Sequence, residues 1–147
     1  MSIVRWSNVP LPEEHLTALV IGLALHKARP LGLPGPTLTR LVAGSVITSL
    51  GTLLTVWAVV AVREVDVTSP AKVVTRGPYA LSRHPMYVGW TMVYLGAALM
   101  VGSRWLLILL PPTLAYTHRT VLREERGLES RFGRDYRQYR ERVRRYV

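Results

Sequence analysis

The chain has 147 residues, 49% hydrophobic and 19% charged, with a mean hydropathy of +0.19 and a formal charge of +10. It has no cysteine, which excludes disulfides, thiolate metal ligands and thiol catalysis. A chain this apolar and this basic must keep its charges apart from its apolar runs, and ten arginines do fall at or beyond Arg119. Residues 1–12 lack the basic-then-apolar order of a signal peptide. Four apolar segments follow, at 16–25, 41–62, 87–101 and 105–116. The second is close to the ~20 residues that cross a ~30 Å hydrocarbon layer. The others are shorter and would suit core helices of a soluble domain, unless their flanks are included and Lys27, Arg29, Arg104 and Arg119 snorkel to the interface. The small polar residues Ser45, Thr48, Ser49, Thr52 and Thr55 in the second segment suit packing between membrane helices.

The expected fold is therefore all-α and polytopic, one membrane domain with spans near 14–29, 41–63, 86–101 and 104–119. A loop at 64–85 and an amphipathic helical tail at 120–147 complete it. Gly102-Ser103-Arg104 predicts a tight turn, with the third and fourth segments as an antiparallel hairpin. Pro111-Pro112 predicts a kink in the fourth. The proline- and glycine-containing stretch 29–39 reads as an external loop. With four spans, one side of the membrane carries fifteen basic residues, including Arg5, Arg63, Lys72, Arg76 and Arg83, against four on the other. That excess places both termini and the loop in the cytoplasm of a multi-pass cell-membrane protein.

Two ionisable clusters fall on that side. In Arg83-His84-Pro85, the proline fixes its own φ, holds His84 out of helical geometry and suits the first turn of a helix. The free backbone donors of that helix start favour an anionic group, and Gly77 and Gly89 would allow close approach of a ligand. Glu124-Glu125 is the counterpart beyond the fourth segment. Adjacent glutamates among arginines more often form a solvated face, but these lie on the same side as His84. After them Leu128, Phe132, Tyr136, Tyr139, Val143 and Tyr146 recur at three- and four-residue spacing, with Gly133 as a break. An amphipathic basic helix resting on anionic lipid headgroups fits this pattern. Nucleic acid is not expected, because the aromatics are used on one apolar stripe. The four histidines are scattered, so no metal site is expected.

Gly77-Pro78-Tyr79, Arg83-His84-Pro85-Met86-Tyr87-Val88-Gly89 and Glu124-Glu125 with Leu128, Phe132-Gly133, Tyr136 and Tyr139 resemble the isoprenylcysteine carboxyl methyltransferases and the broader group of membrane phospholipid methyltransferases. The resemblance covers the chain from about Lys72 onward. It implies an integral membrane enzyme using S-adenosyl-L-methionine. His84 and Tyr87 would then contact the cofactor near its amino-acid end, supported by Tyr79, Arg83, Pro85 and Gly89. Glu125 with Glu124 would take the ribose or adenine portion, and Tyr136 and Tyr139 would close the cavity. Arg119 is the candidate catalytic residue, compensating the charge of a carboxylate acceptor, and His118 is a candidate base for an amine.

The leading expectation is methylation of the carboxyl group of an isoprenylcysteine-like or other lipid-like acceptor entering from the bilayer. Phospholipid amine methylation comes next. A nicotinamide-dependent membrane reductase and a non-enzymatic scaffold that holds anionic lipid through its arginine tail are the rivals from other classes.

Overall fold

The computed structural model describes residues 12–62 and 73–147. Arg5, Arg63, Lys72 and the first part of the expected 64–85 loop lie outside them. The described residues form five α-helices and no strand: α1 Glu13–Ala28, α2 Thr37–Val62, α3 Pro85–Val101, α4 Arg104–Phe132 and α5 Arg134–Arg142, with a short 3-10 turn at Gly77–Ala80 before α3. The all-α expectation holds. Among the described residues, α2 is the one helix both long and apolar enough to cross a membrane. At 26 residues it spans about 39 Å. Helices α1 and α3, at 16 and 17 residues, reach only about 24–26 Å, short of a ~30 Å layer.

The boundaries follow local chemistry. Pro85 opens α3, and His84 before it sits at φ −130°, ψ 56°, outside the helical region. Gly102 ends α3 with φ +68°, a conformation that favours glycine, and its amide donates to the carbonyls of Ala98 and Leu99. Gly133, at φ +50°, ends α4. The fourth helix departs from the expected 104–119. It continues to Phe132 through Pro111 and Pro112 and through the change from apolar to charged sequence. The expected tail at 120–147 is thus α4 carried onward, then α5. Loop 29–36 is anchored: Leu33 N donates to Gly102 O, Arg104 N to Leu31 O, Trp105 Nε1 to Arg29 O, and Arg40 Nη1 to the carbonyls of Leu33 and Gly35.

Helix α3 packs mainly on α2, and α4 on α1, so the α3–α4 turn joins two antiparallel pairs. On α2 the small residues Gly44, Gly51, Thr55 and Ala58 point inward, while Leu38, Val42, Val46, Leu53, Val56 and Val60 are exposed. Small inside and large apolar outside reverses the arrangement of a water-soluble helix and suits a lipid solvent. Gly44 faces Gly96, and Gly51 faces Gly89, so the two backbones meet directly. A Cβ on Gly51 would lie 2.6 Å from Gly89 O, and one on Gly44 would lie 2.7 Å from Gly96 O. Gly89, expected at the ligand, therefore belongs to this helix contact.

Replacing Gly51 by alanine should destabilise the protein by about 1–3 kcal/mol, because the obstructing atoms are backbone and cannot turn aside. Gly127→Ala, where an added Cβ meets nothing within 4 Å, should be neutral or stabilising by up to ~1 kcal/mol. Denaturant unfolding of the two variants in detergent measures the contrast.

Candidate active site

The starts of α1 and α3, the end of α2 and the polar half of α4 gather at one end of the bundle. There Arg83 and His84 are presented by the turn that Pro85 enforces, and Glu125 lies on the buried α4 stripe of Thr113, Thr117, Val121 and Glu125. Glu125 is almost wholly enclosed. Its Oε1 accepts from His84 Nε2 at 3.2 Å and Arg145 Nε at 3.0 Å and forms an ion pair with Arg83 Nη2 at 3.1 Å, and its Oε2 accepts from Arg145 Nη2 at 2.9 Å. The Arg145 pair is a two-pronged guanidinium–carboxylate contact. An ionised carboxylate can only accept, so His84 Nε2 carries a proton. Burial pushes the Glu125 carboxyl up, but hydrogen bonds from His84 and Arg145 and the guanidinium charges of Arg83 and Arg145 outweigh it, bringing its pKa down from 4.5 to about 2.

Glu124, exposed on the next position, accepts from the Tyr87 hydroxyl at 2.7 Å, and its Oε2 lies 3.7 Å from His84 Nδ1. The imidazole thus sits between two carboxylates. Tyr139 donates to Tyr79 O at 2.6 Å. Tyr136 is buried, and its hydroxyl has no hydrogen-bond partner among the described residues. Burial, then the nearby Glu125 charge, pushes that hydroxyl up to about 12, so it stays neutral. Arg83 is also buried, with Nε and Nη1 unpartnered among the described residues.

The structure brings Tyr79, Arg83, His84, Pro85, Tyr87, Glu124, Glu125, Tyr136 and Tyr139 to one place. It does not bring Gly89, or Arg119, which is exposed on α4. The aromatic stripe beyond Gly133 does not face lipid. Tyr136 and Tyr139 are buried against the 79–84 segment, and Tyr146 bonds His118 Nδ1 at 2.8 Å. Sequence reasoning missed the strap that follows α5. Arg83 N donates to Arg144 O at 2.9 Å, and Ser82 Oγ to Arg145 O at 3.2 Å, so backbone contacts hold Arg145 over Glu125. In a run of arginines nothing marks which one turns inward. Only Tyr146, at stripe spacing, signalled that the segment returns.

The family model for phospholipid methyltransferase matches residues 39–135, about two thirds of the chain. The chain belongs to the phospholipid methyltransferase family. Comparison with curated proteins and with solved structures finds no match. The matched segment contains Arg83, His84, Tyr87, Glu124 and Glu125, while α1 and the strap lie outside it. Membership of the phospholipid methyltransferase family makes the chain a methyltransferase of the membrane type, in keeping with the outward apolar face of α2.

A folded-state pKa lowered from 4.5 to about 2 means that Glu125 stabilises the fold above pH about 4.5 and loses that contribution as pH falls through about 2. Glu125→Gln should lower unfolding stability by about 3–5 kcal/mol at neutral pH, because it strands the buried guanidinium of Arg83. The difference from the parent protein should shrink toward pH 2, and denaturant titration across that range measures it.

Proposed function

We propose that the protein transfers a methyl group from S-adenosyl-L-methionine to a lipophilic acceptor at the Arg83–His84–Glu125 cluster, and that the acceptor is a phospholipid. The observation that carries this reading is a buried arginine with two unpartnered nitrogens beside a buried carboxylate, within a segment that matches a methyltransferase family. The donor set fits the cofactor. The free Nε and Nη1 of Arg83 suit its carboxylate, Glu124 and Glu125 suit its ammonium or sugar hydroxyls, and Tyr136 offers a neutral hydroxyl. The rings of Tyr87 and Tyr146, 6.0 and 6.5 Å from that of His84, offer faces that attract a cation. When bound, the cofactor supplies an already activated methyl group.

The protein's own work is then orientation. Pro85 fixes His84, the α2–α3 glycine contact fixes the first turn of α3, and Arg145 holds Glu125 in one rotamer. Positioning of this kind accounts for about 7–11 kcal/mol of a barrier in favourable cases. The family description favours a phospholipid over an isoprenylcysteine carboxyl group as acceptor, and Arg119 is exposed on α4. In this reading α1, α3 and the apolar half of α4 enter the bilayer beside α2. The site end faces the cytoplasm, following the excess of basic residues. The exposed arginines Arg134 and Arg137 meet anionic headgroups there, while the aromatic stripe serves the site.

Calorimetric titration with S-adenosylhomocysteine should show saturable binding that Arg83→Ala weakens at least tenfold and Glu125→Ala abolishes. Binding of a nicotinamide dinucleotide in its place would transfer the site to reductase chemistry. Binding of neither to folded protein would leave the scaffold reading.

A further inference from the structure

Helix α1 lies outside the family match, yet it brings two chemically active side chains to the site end. His15 is 3% exposed. Its Nε2 lies 3.1 Å from Thr91 Oγ1 on α3. That hydroxyl has a single proton, and it donates it to Tyr87 O at 2.8 Å. Thr91 must therefore accept from His15, which places the His15 proton on Nε2 and leaves Nδ1 as a bare lone pair. Nδ1 is buried and has no hydrogen-bond partner among the described residues. Most buried imidazole nitrogens are satisfied, so an unmet acceptor fixed in one tautomer is a candidate for taking a proton from a ligand.

Glu14 stands beside it. Its Oε1 accepts from Thr117 Oγ1 on α4 at 3.1 Å, and its charge reaches both His15 and Tyr87. The ionisable groups around the imidazole are Glu14 on α1 and Tyr94 on α3, whose ring stands edge-on at 6.1 Å. Thr117 and Glu125 are eight residues apart on one helix, about 12 Å along its axis. The α1 pair thus lies below the cofactor cluster, toward the apolar part of the bundle. Tyr87 stands between the two, bonded to Glu124 through its hydroxyl and to Thr91 through its carbonyl. Next to the pair, Leu16, Val20 and Leu23 form an exposed apolar strip along α1, suited to acyl chains.

We infer that Glu14 and His15 form the acceptor subsite, in which Glu14 attracts a lipid ammonium group and His15 Nδ1 takes its proton. This rests on the methyltransferase reading above and adds the residues that receive the acceptor. One N–H bond breaks and its electron pair stays on nitrogen. The proton forms a bond to Nδ1 and leaves later to water. The freed lone pair is then available for methylation. An alkylammonium holds its proton about four pKa units more tightly than imidazole in water, and burial disfavours both cations, so the transfer runs uphill and is drawn forward by methylation of the freed lone pair. The Glu14 charge attracts the cation on either side of the transfer. An ionised carboxylate acceptor has no proton to give and would be repelled by Glu14, so the subsite selects amines.

The test uses 15N-histidine-labelled protein in detergent micelles, with S-adenosylhomocysteine binding measured in parallel. The four histidines make the His15 signals assignable from His15→Gln. In the resting protein Nδ1 should resonate as an unprotonated nitrogen. Adding N-methylated phosphatidylethanolamine should shift it toward a hydrogen-bonded or protonated position, and phosphatidylcholine, which has no N–H, should not. His15→Gln should lower turnover of the amine lipid about 10²–10³-fold with S-adenosylhomocysteine affinity within about twofold, and Glu14→Gln should raise KM more than it lowers kcat. An Nδ1 signal indifferent to both lipids, or moved equally by both, in protein that binds S-adenosylhomocysteine overturns the α1 subsite and leaves the cofactor reading standing. Loss of S-adenosylhomocysteine binding in the parent protein overturns both.

Discussion

A buried carboxylate is the constraint around which this site is built. Glu125 cannot remain ionised in its enclosed position without donors on every side, because burial of an unpaired charge is far more costly than the pairing recovers. It therefore dictates where Arg83, His84 and Arg145 must be. Those three come from the turn before α3 and from the strap after α5, so one side chain ties together Arg83 and Arg145, 62 residues apart in sequence. The neighbouring Glu124 extends the arrangement to Tyr87, and through Tyr87 to α3 and the α1 pair.

Local chemistry was legible in the sequence wherever a residue acts on its own backbone. Pro85, Gly102 and Gly133 announced the boundaries they form, because fixed or positive φ is a property of the residue itself. The Arg-His-Pro and Glu-Glu clusters were legible as a pair, since both fall at one end of apolar segments. The end of α4 was not. A change from apolar to charged sequence marks a change of surroundings, and a helix crosses it without breaking its hydrogen bonds. The tail stripe carried a similar ambiguity. Three- and four-residue periodicity reports that a face is covered, not by what, and here Tyr136 and Tyr139 are covered by the 79–84 segment rather than lipid.

Long-range partners were the least legible. His15 meets Thr91, and Glu14 meets Thr117, across 76 and 103 residues, and no spacing rule links such positions. Gly89 shows the converse error. A glycine beside a functional motif invites a ligand-facing role, yet its missing side chain serves the approach of α2, where Gly51 offers the matching gap. Reading a glycine requires knowing which backbone it meets, and only the fold supplies that.

The backbone-to-backbone closure of α2 on α3 has a mechanical consequence. Glycines bring the two backbones together, with Thr48, Thr55, Met92 and Met100 filling the seam between them, and this tight pair carries His84 and Tyr87. Glu124 and Glu125 belong to the other pair, α1 with α4, and the two pairs touch each other far less than α2 touches α3. The active groups are thus divided across the more thinly packed seam of the bundle, which the bonds of Glu125 and Glu124 to His84 and Tyr87 bridge. Shear along that seam, rather than bending of any helix, is the displacement the architecture resists least, and it would part the histidine from its two carboxylates while leaving each helix intact.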